Sequence, residues 1–395
     1  MLSQEENEHF TRVGPGTPMG KMLRRYWHPV GCTALVTAKP QRVKVLDEEL
    51  VLYRGASGKP VLMELRCAHR NVALDYGRVE GDSIRCPYHG WVYDRAGRCI
   101  AQPAEPKGSG YREKIRLASY PTQEISGLIF AYMGPEPAPV LPLYDVLRMD
   151  QGAKQIRSYR MGANWFQAVE NIVDQSHLSW LHGYTFPFYG DKEKVTYHHE
   201  RADCGASLEL RIDGVTAQVT PYFFPTINRF NLPSPLPNAR LLQVLLYRVP
   251  VDDTSHENYF VAFSASDKAA SSDQHAVGAV RMEAKHGEYR PLADDWWGID
   301  VSDQDRMVLE QQGAIADRRR EHLVATDAGI LLMRRMMREG LEAIDKGEDP
   351  PCIIRDPAKQ NVEFKVSMVA DMGQKRAEGA DYGAGLFRER AAERT

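Results

Sequence analysis

No stretch of about 18 consecutive apolar residues, the length a membrane-spanning helix needs, occurs in the 395 residues, which excludes a helical membrane span. Charge of one sign is also lacking. With 50 basic and 53 acidic side chains the net charge is −3, too small to draw in nucleic acid or a strongly charged partner from a distance. Cysteine is sparse: six residues, scattered unlike the dense spacing of a disulfide scaffold. The opening MLSQEENEHF lacks the basic-then-apolar pattern of a secretory signal, so a cytoplasmic protein with reduced thiols is expected. No Gly-x-Gly-x-x-Gly follows a strand-like segment, and a nicotinamide nucleotide is therefore not expected to bind this chain directly. Internal repeats and low-complexity blocks are absent too.

What is present divides in two. Segments QRVKVLDEELVLYRG, KPVLMELRC, DSIRCPYHGWVYD and SGLIFAYMG alternate β-branched or aromatic residues with turn formers, predicting a small all-β domain over residues 40–135. Residues 134–142 (GPEPAPVLP) hold four prolines in nine positions, which no helix or central strand tolerates, and mark a linker. Beyond it, residues 136–355 combine a helical run from Asn164 to His182 with strand-like segments over 193–265. Helices at Gln304–Arg320 and Asp327–Lys346 follow. The fold class expected is α+β: an all-β domain, then a domain whose antiparallel sheet is covered by helices in a helix-grip-like arrangement. Residues 1–39 are read as a segment packing on the second domain, and 356–395 as a C-terminal tail.

Cys67-x-His69 and Cys86-x-x-His89, sixteen residues apart, each follow a strand-like stretch, as ligand-bearing loops do. Each half supplies one Cys and one His, whereas a zinc finger presents a Cys pair and then a His pair. The mixed order fits a Rieske [2Fe–2S] centre, in which two cysteinates hold one iron and two histidines the other. Pro87 stiffens the second loop, and Gly90 allows close backbone approach. Cys32, Cys99, Cys204 and Cys352 lack such partners and read as packing or surface residues.

Asp174-x-x-His177-x4-His182 lies among Trp165, Val169, Ile172, Leu178 and Leu181, where buried polar groups need partners. Two imidazoles and a carboxylate compose the facial triad of non-haem Fe(II) oxygenases, with coordination positions left open on one side. At ~100° per residue, His177 and His182 fall ~140° apart on an ideal helix and cannot face one metal. A distortion or termination between them is therefore expected. A downstream carboxylate is needed, and WWGIDVSDQDRMVLEQ offers Asp300, Asp303 and Asp305, the last two equally able to cap a helix.

These motifs, with the VPVDD turn and the EHLVATDAGILLMRRMM helix, resemble the oxygenase (alpha) component of the Rieske non-haem iron oxygenases, in the phthalate-dioxygenase-like branch of the aromatic ring-hydroxylating enzymes. Ala68 stands where many members have proline. The resemblance implies that His177, His182 and Asp305 hold a mononuclear iron. It also implies that Asp174 bridges an iron-bound histidine to the Rieske histidine, matching His89, of an adjacent protomer in a trimer or stacked trimers. It further implies a terminal oxygenase taking O2 and, through a separate flavin and iron–sulfur reductase, electrons from NAD(P)H, to hydroxylate or O-demethylate an aromatic acid or aryl ether. The rivals are a Rieske electron-transfer protein without oxygenase activity and a zinc-stabilised protein. Arg229, Arg240 and Arg248 are read as solvent-facing strand arginines and His198, His199, His275 and His286 as exposed, all outside the site; Asn171 belongs either to the iron surroundings or to helix packing.

Overall fold

The computed structural model describes residues 1–106, 108–183, 194–233, 241–265, 278–282 and 301–368. Asp300, Arg240, His275, His286 and the tail beyond residue 368 lie outside them. No helix among the described residues is long and apolar enough to cross a membrane.

The strand-rich pattern of the first third folds into two four-stranded antiparallel sheets. One orders Gln41–Val45, Glu48–Arg54, Pro60–Glu64 and Ser119–Tyr120; the other Arg78–Glu80, Ser83–Arg85, Val92–Tyr93 and Cys99–Ala101. Residues 1–39 serve both halves of the molecule. Trp27–Cys32 pairs with Leu128–Tyr132 in a third sheet. Ahead of it, α1 (Gln4–Thr11), started by a Ser3–Glu6 capping box, and α2 (Pro18–Leu23), started by Thr17, turn toward the second half. There Asn7 donates to the Ala316 carbonyl at 3.1 Å.

After the short α3 (Asp145–Arg148), the second half is built on a nine-stranded sheet. Its long strands, Leu241–Asp252 and Ser255–Ala265, alternate between two faces. Leu245, Tyr247 and Val249 join the main core with Phe130 and Met22, while Leu242, Val244 and Leu246 gather with Phe260 on the other face.

The helical run from Asn164 to His182 is two helices, α4 (Trp165–Val173) and α5 (Ser176–Trp180). Asp174 is extended (φ −86, ψ 95), and its carboxylate accepts from the Ser176 N–H at 2.9 Å and hydroxyl at 2.6 Å. A short acidic side chain that bonds the backbone two residues on competes with helix continuation. The helix thus breaks before His177, and α5 also terminates before His182, as the geometric argument required. Next, α6 (Val301–Gln311) stops short of the expected Arg320, where Gly313 takes φ +92. The last helix, α7 (Ala328–Asp345), buries Ile330, Met333 and Met337 as its sequence stripe predicts. A Cβ at Gly329 would lie 2.3 Å from the Val173 carbonyl oxygen, so only glycine lets α7 meet the end of α4 this closely.

Candidate metal centres and substrate cavity

The two Cys/His loops are built alike. Cys67 N–H donates to Val72 O (2.9 Å) and Asn71 N–H to Cys67 O (2.9 Å); Cys86 N–H donates to Trp91 O (2.8 Å) and Gly90 N–H to Cys86 O (3.1 Å). The fifth residue of each loop is left-handed, Asn71 at φ +57 and Gly90 at φ +72, so Gly90 serves the turn as well as close approach. Cys67 and Cys86 are buried and interact with each other, and burial pushes the Cys86 thiol up. An uncompensated thiolate is costly there, and a bound metal removes that cost. His69 and His89 sit toward the surface with ring centroids 4.5 Å apart, and His69 stacks on Trp91. Tyr93, which belongs to neither motif, has its hydroxyl 3.2 Å from Cys67 Sγ and accepts from the Ala68 N–H at 3.2 Å.

Four ligands of one zinc would crowd together. Among the described residues, the one group of three or more such side chains whose donor atoms all lie within 4.8 Å of one another is His177, His182 and Asp305. The loop residues instead associate Cys with Cys and His with His, the separation a two-iron cluster with unlike ends requires.

At the second site, His182 Nε2 is 3.2 Å and His177 Nε2 3.8 Å from Asp305 Oδ1. Both rings are oriented from behind. His177 Nδ1 donates to the Asp174 backbone carbonyl, and His182 Nδ1 to Gln304 Oε1 at 2.7 Å. Each Nε2 is thereby left as the lone-pair nitrogen facing Asp305. Burial holds His177 below the ordinary histidine range, keeping it neutral, despite the pull of Asp305. Burial opposes the charge on Asp305, but Arg248 together with His182 and His177 in their protonated forms outweighs it and holds the carboxyl at about 2. Two neutral imidazoles and a carboxylate are the donor set of mononuclear iron, and they fit it. Asp303 is half-exposed and pairs with Arg306 at 3.4 Å, away from this convergence.

The structure changes three expectations. Among the described residues the Asp174 carboxylate bonds no histidine: Oδ2 is 3.9 Å from His177 Nδ1, and the backbone carbonyl takes that proton. Arg229 and Arg248 are not solvent-facing, being 2% and 6% exposed. Arg229 pairs with Asp145 at 3.0 Å, while Arg248 donates to Asn228 Oδ1 (2.7 Å) and Asn171 Oδ1 (3.4 Å). Finally, His199 is half-buried against Gly329. Asn171 is part of the site, its amide donating to Asp305 at 3.3 Å. Behind α4, Glu170 accepts from Arg318 at 2.6 Å and from Arg334, which also pairs with Glu321. That network clamps α4 to α7 and to the chain after α6, and its members lie too far apart in sequence to be recognised there.

A cavity of about 120 Å3 opens beside His177, His182 and Asp305. Phe230, Leu246 and Phe260 form apolar wall, and Arg248, Asn228 and Thr220 supply polar groups.

A cluster-type pair of loops and a separate two-histidine, one-carboxylate pocket on a helix-covered sheet define the class: an iron-dependent oxygenase with its own iron–sulfur centre. Residues 26–121 match the Rieske [2Fe–2S] domain. The 5,5'-dehydrodivanillate O-demethylase oxygenase subunit of Sphingobium sp. is 39% identical over 373 residues, covering 91% of this chain and 85% of that protein. The phenoxybenzoate dioxygenase alpha subunit of Ectopseudomonas oleovorans is 33% identical, covering 86% and 85%. NdmA of Pseudomonas putida CBB5 shares the fold, with TM-score 0.64 at 22% identity over 82% of this chain and 92% of that one. The chain belongs to the Rieske non-haem iron oxygenases, as an oxygenase (alpha) component.

Proposed function

We propose that this chain is the terminal oxygenase of a cytoplasmic system that uses O2, with NAD(P)H electrons delivered by a separate flavin and iron–sulfur reductase, to hydroxylate or O-demethylate an aromatic acid. In this reading residues 40–135 carry the cluster, 136–355 the mononuclear iron, 1–39 a segment packing on the latter while its strand Trp27–Cys32 pairs with Leu128–Tyr132 of the former, and 356–395 a tail. Cys67, Cys86, His69 and His89 would hold the cluster; His177, His182 and Asp305 would hold the iron. When bound, the cluster supplies electrons and the iron supplies O2 activation.

The observation that carries the substrate class is Arg248. Its guanidinium is buried beside the iron pocket, and its named hydrogen-bond partners, Asn171 and Asn228, are neutral amides. Burial penalises this cation and Asp305 attracts it without a hydrogen bond among the described residues, so an anionic ligand bonded directly to it would offset the remaining cost. A substrate carboxylate on Arg248 would hold the ring against Phe230, Leu246 and Phe260, which exclude water and fix the ring position nearest Asp305. His177 and His182 stay oriented through their Nδ1 bonds while the substrate binds.

Asp174, with its side chain about one quarter exposed, is proposed to bridge to His89 of an adjacent protomer in a homotrimer or stacked trimers. The convergence of His177, His182 and Asp305 favours this oxygenase over a protein that only carries electrons.

Substrate-dependent O2 uptake with a surrogate reductase, screened over aromatic acids and their methyl esters, tests the proposal. Arg248→Gln is expected to raise KM for the acid about 10- to 100-fold, the worth of a charge-assisted bond, while leaving the ester's KM unchanged. Equal effects on acid and ester would remove Arg248 as the anchor, and zinc rather than iron at both sites would sink the oxygenase reading.

A further inference from the structure

Residues 94–116 hold six cations against three carboxylates, in a chain whose net charge is −3. Within that stretch Arg98 and Arg116 stand directly opposite each other at a bridge between antiparallel segments. Like charges so placed destabilise a sheet. Arg98 turns to Asp94 at 2.7 Å, but among the described residues Arg116 reaches only the Ala96 carbonyl (3.2 Å) and Arg112 only the Ile100 carbonyl (3.5 Å). Among the described residues neither of them, nor the exposed Lys114, has a carboxylate within ion-pair reach. Beside these cations, Ile100 and Tyr111 are 45% and 61% exposed. Exposed apolar side chains rimmed by cations without internal partners are the surface composition of a protein-docking site with an acidic counterpart.

The patch also lies close to the cluster loops. Cys99, next to Ile100, is buried in the same small core as Cys67 and Cys86, and its strand pairs with Val92–Tyr93. Tyr93 in turn touches Cys67 Sγ. A protein seated on Ile100 and Tyr111 is therefore one strand away from the cysteine side of the cluster loops.

We propose that Ile100, Tyr111, Arg112, Lys114 and Arg116 form the landing site for an acidic electron-donor protein. This rests on the reading above, that a separate reductase serves the chain. In each docking event one electron passes, the donor is oxidised by one and the cluster reduced by one, and no bond forms or breaks. The cations accelerate encounter, and the two apolar side chains fix the orientation.

The test uses the cluster-loaded full chain, NADH and a flavin and [2Fe–2S] reductase from a Rieske oxygenase system, following bleaching of the cluster's visible absorption without aromatic substrate. For Arg112→Glu/Arg116→Glu the bimolecular rate at low salt should fall about tenfold or more, and its dependence on ionic strength should flatten. Dithionite should bleach this variant and the parent equally fast. Arg78→Glu, 84% exposed on the same domain, is the control and should keep the parent rate. Arg112→Gln/Arg116→Gln should be intermediate, and it decides the matter if the double reversal misfolds. An unchanged reductase rate and salt slope in both double variants, or an equal loss in Arg78→Glu, overturns the proposal. Bleaching needs no mononuclear iron, so failure of the oxygenase reading would appear separately, as absent substrate-dependent O2 uptake by the parent.

Discussion

The cluster loops draw their donors from residues 67–89, and each closes on hydrogen bonds within itself. The iron pocket takes His177 and His182 from beside a broken helix and Asp305 from a helix 123 residues beyond His182. The first region is specified locally. The second exists only once the sheet, α4, α6 and α7 have assembled, and the Glu170–Arg318–Arg334 network ties α4 to α7 and to the chain after α6. The difference teaches that one chain can place two candidate metal centres under different kinds of control, short-range turn geometry for one and long-range packing for the other.

The sharpest way to break that comparison is Asp305→Ala. It should abolish oxygenase activity and lower iron from about three to about two per chain while leaving the cluster's absorption intact, by metal analysis and visible spectra. Loss of the cluster as well would show that the two regions are not independent. Next is Glu170→Ala, which leaves Arg318 and Arg334 buried opposite a void. A loss of about 3–5 kcal/mol in urea unfolding is expected, with mononuclear iron released at a lower urea concentration than the cluster. Simultaneous release would contradict the local-versus-assembled distinction.

Asp174→Ala probes the join between the regions. The His177 Nδ1 bond runs to the backbone, so the variant should retain both metals while turnover falls about 10- to 100-fold. Undiminished turnover would refute the bridge. The smallest effect belongs to Tyr93→Phe. Removing a hydrogen bond to Cys67 should lower the cluster's midpoint potential within its span of about −150 to +300 mV, with iron content unchanged. An identical potential in a redox titration would leave Tyr93 as packing only.

The same distinction governs what could be read from the sequence. The cluster loops were legible because ligand identity, spacing and turn residues are contiguous; only Tyr93, whose hydroxyl reaches back from the next strand, carried no sign of its role. For the iron pocket, helical geometry foretold that His177 and His182 need an interruption between them. It did not foretell the additional break at Asp174, which follows from that side chain accepting from the Ser176 N–H and hydroxyl two residues on. Asp303 and Asp305 were nearly equivalent as sequence, and a rotation of α6 toward His182 separates them. Arg248 was misjudged because a charged residue on a strand is usually solvated, whereas here its face of the sheet is roofed by helices and lines a cavity.

The interruption at Asp174 bears on how the protein matures. A helix of five residues such as α5 cannot persist unaided in water, so His177 acquires its place only when neighbouring structure holds it. The cluster loops close on their own backbone hydrogen bonds. Biogenesis should therefore run in a fixed sequence, with the iron–sulfur cofactor installed in an early folding unit and the single iron captured last.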